Sequence, residues 1–477
     1  MIELTLGEVA TLVGGRLTGA EPDTPVTGPL EFDSRRVVPG GLFLALPGER
    51  VDGHDYVAAV TAAGAAASLV TRPTDGPTIE VADGFAALAA LAGAVVRRLP
   101  DVTVIGVTGS SGKTSTKDVL AQLLARLGPT VAPPGSFNNE LGHPYTVLRA
   151  DPSTQFLVLE TSARGIGHIR FLTEIAPPRI GVVLNVGSAH LGEFGSRDAI
   201  ARAKGELVEA LPADGLAVLN ADDPLVLAMR ERTTARVVTV GEAATADLRA
   251  EDVTLDDLGR ARFQLVQDGR RAPVALRLVG AHHVGNVLAA AAVALECGLA
   301  FDELSTALGE VAPASRWRME TTERPDGVLM INDAYNANPE SVAAALRTLA
   351  TVGSRRSGRA VAVLGEMAEL GDDAAAEHEA VGRLAARLGI AQLVVVGDTA
   401  RPILHGAALE GSGPDGSRWV PDVDAAVSYL RAELRAGDVV LVKASRAASL
   451  ERVAQAITDD TESGPAAGPA QEGGEPR

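Results

Sequence analysis

Residues Thr103-Val104-Ile105-Gly106-Val107-Thr108-Gly109-Ser110-Ser111-Gly112-Lys113-Thr114 carry the densest chemical signal in the chain. A β-branched, apolar strand runs into a glycine-rich turn, and Lys113-Thr114 open a helix. The N–H groups of such a turn, together with the helix N-terminus, form an anion site. Gly109, Ser110, Ser111 and Gly112 would line it, Lys113 would add a point charge for β- and γ-phosphates, and Thr114 a hydroxyl for Mg²⁺. The usual pattern has a glycine five positions before the second glycine; Val107 stands there, so the loop reads as the shorter Gly109-x-x-Gly112-Lys113-Thr114. The chain is expected to bind ATP or a close relative. The bland alternative is an ordinary strand-to-helix turn with a surface lysine.

Further candidates stand at the ends of apolar strands, where open parallel sheets gather their ligands. A strand at 155–160 ends in Glu160, and one at 179–186 leads through Gly187-Ser188-Ala189 to His190. Both are expected on the sheet edge that holds Lys113 and Thr114, where a carboxylate and an imidazole beside a triphosphate suit Mg²⁺ or Mn²⁺. Taken singly, Glu160 reads as a cap or salt-bridge residue and His190 as structural. Lys204 falls with Ile200, Leu207, Val208 and Leu211 on one stripe of a helix for which Ser196 is a candidate N-cap. A lysine on that stripe must snorkel, the commoner outcome, or pair with an acid, or be chemically altered; burial would favour its neutral amine.

Near the third quarter, a strand ends in Asp333, and Tyr335, Asn336 and Asn338 follow before Pro339 starts a helix. These could hydrogen-bond a ribose or substrate, or could simply build a turn. Lys443, Ser445 and Arg446 close a later strand and suit a carboxylate or phosphate, unless they are solvated loop residues.

The elements that must position these residues alternate. Up to about residue 82, short strands and helices mix with turn signals. Strands at 102–108, 155–160, 179–186, 215–219 and 236–240 then alternate with helices, which predicts a mainly parallel sheet. Charged strand-like stretches at 246–279 suggest an antiparallel addition before an Ala-rich helix at 282–298. A second alternating series has strands at 328–333, 359–364, 391–396 and 438–442, with helices at 339–350 and 374–388. The expectation is an α/β chain of three domains: a small α/β domain at 1–82, a central parallel-sheet P-loop ATPase domain at 83–313, and a Rossmann-like domain at 314–460. The Gly/Pro/Glu-rich tail, 461–477, reads as disordered.

At 477 residues and 46% apolar the chain can build such cores, and with aromatics at 3% it must fill them with Ala, Val and Leu. A net charge of −18 disfavours nucleic-acid backbones and anionic membrane surfaces as partners. The single cysteine, Cys297, excludes an intrachain disulfide and suits a reducing compartment. No basic start with a long apolar run opens the chain, and no stretch offers the ~18 uninterrupted apolar residues of a membrane span. A soluble, cytoplasmic protein is expected.

Together these residues resemble the Mur ligase family, ATP-dependent amide-forming enzymes of peptidoglycan precursor synthesis. The resemblance covers about residues 1 to 458. It rests on Thr108 to Thr114, Glu160, Asn185 to His190, Ala203-Lys204-Gly205-Glu206, Gly280 to Asn286, the Arg318 segment, Asp333 to Pro339, and Lys443 to Arg446. It implies an N-terminal domain for a uridine nucleotide, a central ATPase and a mobile third domain, in a monomer. Carried over at matching positions, Lys113 and Thr114 meet the phosphates of ATP. Thr114, Glu160 and His190 hold Mg²⁺, and Lys204, carbamylated by CO₂, holds a second. His282 and Asn286 lie near adenine, Asp333 at the ribose, and Arg318 reaches the nucleotide as the enzyme closes. Asp33, Ser34 and Arg35 belong to the uridine-nucleotide site. Two positions depart from the pattern: His283 replaces the usual asparagine, and Ala444 the common glycine.

Asn138-Asn139-Glu140-Leu141-Gly142-His143-Pro144, Ser188 to Ser196, Tyr335 to Pro339 and Leu364 to Gly371 point, within the family, to joining D-alanyl-D-alanine to UDP-N-acetylmuramoyl-tripeptide. The competing readings are a family member that adds a diamino acid, a folylpolyglutamate-type ligase, and a nucleotide-gated binding module without ligase chemistry. The diamino-acid ligase carries an Asp-Asn-Pro-Arg motif, which does not occur in this sequence.

Overall fold

A computed structural model describes residues 1–48, 51–187, 191–410 and 416–459 of the chain. His190 and the tail at 461–477 lie outside the described residues.

The strand Thr103–Thr108 sits inside a nine-stranded sheet, between Ile180–Val183 on one side and Phe156–Glu160 on the other, all parallel. Thr130–Val131 forms the edge beyond Phe156–Glu160, while Leu216–Asn220 and Arg236–Gly241 extend the other side. The chain therefore leaves Thr103–Thr108 in one direction and returns to its opposite flank. This is a topological switch point, where open sheets bind ligands. The anticipated antiparallel addition is present as Leu248–Leu255, Arg260–Gln267 and Arg270–Val279.

Sequence and structure differ at the end of one strand. The apolar run at 179–186 pairs only over Ile180–Val183, because Asn185 and Gly187 turn their polar groups to the phosphate loop instead of a neighbouring strand. The Ala-rich helix His283–Glu296 packs on the helix Lys113–Leu124; small side chains allow that close approach.

A five-stranded sheet in the first 82 residues carries four parallel strands and one antiparallel edge. Its core is not its own. Leu6, Val9, Leu42, Leu44, Leu69 and Ile79 form one cluster with Leu88, Leu91, Val95, Tyr145, Leu157 and Leu172 of the next unit. Glu31, at the end of Leu30–Glu31, is buried in that seam. It accepts from Tyr145 Oη at 2.8 Å and pairs with Arg149. Phe32 meets the ring of Tyr145 edge-on at 5.0 Å and that of Phe137 at 6.2 Å.

The third sheet runs Glu320–Glu323, Leu329–Asn332, Val439–Lys443, Ala360–Leu364, Gln392–Val396, Arg418–Val420, parallel except at the first pair. It has an apolar core on each face. No described helix is long and apolar enough to cross a membrane.

The seam makes a specific demand. Tyr145→Phe leaves a buried carboxylate short of a donor, and should destabilise the chain by about 1–3 kcal/mol. The midpoint of chemical denaturation measures this.

Candidate active site

Two glycines shape the phosphate loop. Gly112 has φ +82°, and a Cβ there would lie 2.5 Å from Asn286 Oδ1; a Cβ on Gly109 would lie 2.9 Å from that of Leu184. Asn185 pins the loop on both sides. Its Oδ1 accepts from Ser111 N–H at 2.9 Å, its Nδ2 donates to Ser111 C=O at 3.2 Å, and its own carbonyl accepts from Ser110 N–H at 3.1 Å. Gly187 N–H donates to Ser110 Oγ at 2.8 Å. The N–H groups left open to an anion are those of Gly112 to Ser115, at the start of Lys113–Leu124, where the helix dipole adds positive potential. Lys113 is half-buried at the cavity wall, and its ammonium donates to Gly109 C=O. Burial pushes its pKa down to about 8; Glu160 opposes the shift and Arg318 adds to it.

Glu160, fully buried, closes the neighbouring strand. Its Oε2 accepts from Thr114 Oγ1 at 3.3 Å, Ser136 Oγ at 3.0 Å and Asn138 Nδ2 at 3.3 Å, whereas Oε1 is buried without a partner. Asn138 is held in turn by Ser162 Oγ at 3.0 Å, and Asn139 accepts from Gly142 N–H at 2.9 Å.

Lys204 lies on the buried face of Arg197–Glu209, 4% exposed, and Ser196 caps that helix. No described acid lies within ion-pair distance. Burial, and then the charge of Lys113, hold its pKa well below the usual lysine value. Two residues on, the buried Glu206 carboxylate accepts from Gly167 N–H at 2.6 Å and Arg170 N–H at 3.0 Å, capping the helix His168–Ile175.

The third unit closes over this edge. The Arg318 guanidinium donates to Thr114 Oγ1 at 3.2 Å and stacks on Tyr335, 4.2 Å from the ring centre. Asn338 caps the helix Pro339–Arg356 and reaches Ser110 C=O at 3.4 Å. Lys443 is buried; it donates to Asp333 Oδ2 at 2.6 Å and to Asn336 C=O at 2.8 Å. Ser445 Oγ accepts from Ala368 N–H at 2.9 Å, and Arg446 pairs with Glu451 and lies over Trp317. The charges of Lys443 and Arg446 are thus already answered within the protein. The Ala444 methyl fills the space where Gly365 would carry a Cβ, 2.8 Å away.

Between the two units lies a cavity of about 600 Å³. Of the residues singled out from the sequence, Ser110 to Thr114, Asn138, Asn139, His282, Asn286, Arg318, Asp333, Tyr335, Asn336, Asn338, Lys443, Ser445 and Arg446 line it. Gly109, Glu160 and Lys204 are not part of that lining, though Glu160 holds Thr114 of it, and His190 lies outside the described residues. The rings of His282 and His283 lie 4.3 Å apart, tilted by 37°, and burial holds the pKa of His283 well below the usual imidazole value. Ser34 and Arg35 are not brought to the cavity. They occupy a short turn of the first unit, where Arg35 pairs with Asp33 at 2.7 Å. Ser136 carried no signal in the sequence, and Glu206 stood there only within Ala203-Lys204-Gly205-Glu206, with no role of its own. Only their nearness to Glu160 and to Gly167 distinguishes them, and spacing carries no sign of it.

The chain matches three family profiles: the Mur ligase family catalytic domain over residues 30–105, the Mur ligase middle domain over 107–294, and the Mur ligase glutamate ligase domain over 317–446. A Mycobacterium tuberculosis relative named UDP-N-acetylmuramoyl-tripeptide–D-alanyl-D-alanine ligase is 53% identical, covering 97% of this chain and 99% of its own. This chain belongs to the Mur ligase family. The Escherichia coli protein of the same name is 34% identical over 96% of this Mur ligase and 99% of itself. Among solved structures, MurF from Acinetobacter baumannii superimposes with a TM-score of 0.85 at 32% identity, covering 96% of this chain and 99% of that one. MurF from Thermotoga maritima, in complex with ADP, gives 0.78 at 30% identity over 92% and 98%.

Two measurements probe this Mur ligase's nucleotide cradle. Asn185→Ala unpins Ser111, and should raise the dissociation constant for ADP on the order of tenfold, the worth of one to two hydrogen bonds. In the free enzyme Lys113 is largely neutral between about 8 and its ordinary 10.5. Anionic phosphates raise its pKa again, so ADP binding in that pH window should take up a proton, read by calorimetry in buffers of different ionisation enthalpy.

Proposed function

We propose that this chain is an ADP-forming ligase that joins D-alanyl-D-alanine to UDP-N-acetylmuramoyl-tripeptide in the cytoplasm, as a step of peptidoglycan precursor synthesis. The observation that carries the reading is the likeness to ligases of that name across nearly the whole chain, combined with a phosphate loop that faces Arg318 across one cavity. In the reaction, a terminal carboxylate oxygen of the tripeptide attacks the γ-phosphorus of ATP. The bond to the β,γ-bridging oxygen breaks and ADP leaves. The amine of D-alanyl-D-alanine then attacks the acyl phosphate carbon, a C–N bond forms, inorganic phosphate departs, and the nitrogen loses a proton.

The open N–H groups of Gly112 to Ser115 and the Lys113 ammonium hold the β- and γ-phosphates, and need not move as charge shifts during transfer. Arg318 adds a second cation from the opposite side. The third unit, by covering the cavity, keeps water from the acyl phosphate. His282 and Asn286 border the adenine, Asp333 the ribose, and Ser34 and Arg35 the uridine nucleotide. Asn138, Asn139, Tyr335, Asn336, Asn338, Ser445 and Arg446 border the peptide substrates.

Mg²⁺ would be held by Thr114, Glu160 and His190, with a second ion at Lys204, and would supply positive charge against the phosphate oxygens. The partnerless Glu160 Oε1 fits a cation. Among the described residues no group of three or more His, Cys, Asp or Glu side chains is placed to hold a metal, and His190 lies outside them. Lys204 can furnish oxygen ligands. As a neutral amine it adds CO₂; an N–C bond forms and a proton leaves, turning a buried cation into an anionic oxygen ligand.

Lys204→Ala should lower turnover on the order of 100-fold or more, a loss of developing-charge stabilisation. ADP binding should persist, and short-chain carboxylic acids should partly restore activity. Phosphate release is then measured against an amine panel. Release should require D-alanyl-D-alanine; release with meso-diaminopimelate, lysine or glutamate instead would reassign the substrate. ATP binding without release under any amine would make the chain a binding module.

A further inference from the structure

Thr114, Asp118 and Gln122 recur every fourth residue on the helix Lys113–Leu124, so they share one stripe, and Arg126 continues it just past the helix end. All four meet the segment that leads from the helix Phe301–Glu310 into the third sheet, in reverse order. Arg126 pairs with Glu310. Gln122 Nε2 donates to Ala312 C=O and Gln122 Oε1 accepts from Ala312 N–H, both at 3.0 Å. Asp118 Oδ2 accepts from Ser315 N–H at 3.1 Å, and Thr114 Oγ1 accepts from Arg318 at 3.2 Å. The linker thus runs antiparallel along about 18 Å of the helix and its extension. Its last contact is the Arg318 guanidinium, which faces the phosphate loop at Thr114.

Beyond Ser315 the chain is held by the third unit. Trp317 C=O accepts from Tyr335 N–H at 3.3 Å, Met319 N–H donates to Asp333 Oδ1 at 3.2 Å, and Arg446 covers the Trp317 indole at 4.4 Å. Trp317 and Met319 flank Arg318 at φ +59° and +52°, a region that disfavours residues with side chains. Exposed Arg316 is the single residue between the two anchorings. The pivot of the third unit is therefore short, and the register of Arg318 against Thr114 is set by how firmly Ala312 and Ser315 sit on the stripe. Gln122 is suited to this because an amide presents a donor and an acceptor together, which neither a carboxylate nor an ammonium does.

We propose that this helix face is a guide rail for the linker, and that Gln122 is a positioning residue that delivers Arg318 to the transferring phosphoryl group. The inference rests on the role for Arg318 given under the proposed function. Gln122 lies away from the cavity lining, so its loss should act on the chemical step and leave nucleotide affinity intact.

The test uses the full chain carrying Trp419→Phe, which leaves Trp317 as the one tryptophan. Gln122→Ala should lower kcat on the order of tenfold through misplacement of Arg318. KM for ATP should stay within about twofold, and the change in Trp317 emission on adding ADP should shrink. Gln122→Glu keeps the acceptor for Ala312 N–H and loses the donor, so it should fall between wild type and Gln122→Ala; it carries the test if the alanine variant does not fold. In an Arg318→Ala background the Gln122→Ala change should be less than about twofold, because the two act as a unit. Equal losses in both backgrounds, a rise in KM for ATP alone, or an unaltered kcat and emission response overturns the proposal. The ADP emission response needs no turnover. A guided response in a chain that rejects D-alanyl-D-alanine would leave the rail standing and remove only the substrate assignment.

Discussion

The rest of the site depends on one constraint: the N–H groups at the start of Lys113–Leu124 must stay open to an anion while everything beside them is satisfied. Buried polar groups without partners are costly, so the open ones have to be few and held rigid. Asn185 meets this by bonding both the N–H and the C=O of Ser111, and its own carbonyl holds Ser110. Glu160 does the equivalent on the other flank by holding the Thr114 hydroxyl. Both residues follow strands that pair directly with Thr103–Thr108, so the parallel register itself brings them level with the loop.

That register explains what the sequence made legible. Apolar, β-branched runs between helices marked the parallel strands closely; 155–160 became Phe156–Glu160, and 236–240 became Arg236–Gly241. The charged stretch at 246–279 resolved into three antiparallel strands with one exposed face, as alternation of that kind implies. Elements that bury little left no periodic signal. Glu320–Glu323 is exposed at every position, and Thr130–Val131 and Arg418–Val420 are too short to show a pattern. In the site, strand-end residues such as Glu160 and Asp333 could be picked out because topology alone sends them to one edge. The turn of Asn185 toward the loop could not, since an asparagine closing an apolar run looks the same whether it pairs with a strand or leaves it. Nor does spacing reveal that Gln122 faces Ala312, a contact across 190 residues.

The units are joined unequally, and the physics of each seam differs. The first sheet and the central one share an apolar cluster, with Glu31, Tyr145 and Arg149 buried across the junction. Separating them would expose that surface to water, so they move as one. The third unit has an apolar core on each face, one of which takes in Val279 and Leu258 of the central unit, while near the site the two units meet through polar contacts: Arg318 with Thr114, Asn338 with Ser110, Arg164 with Glu369. Water can replace contacts of that type at little cost.

Buried lysines give the sharpest comparison within the chain. Lys117 is answered by Asp118 and by Pro133 C=O, and Lys443 by Asp333 and Asn336 C=O. Lys113, half-buried at the cavity wall, has the Gly109 carbonyl and Glu160 nearby. Lys204 is as buried as Lys117 and Lys443, yet the largest charge it feels from the described residues is the like charge of Lys113. Its neighbour Glu206 has the opposite fate, its carboxylate answered at a helix N-terminus. A lysine kept as a cation there carries a desolvation penalty that no described acid offsets, which is what holds its pKa well below the usual lysine value.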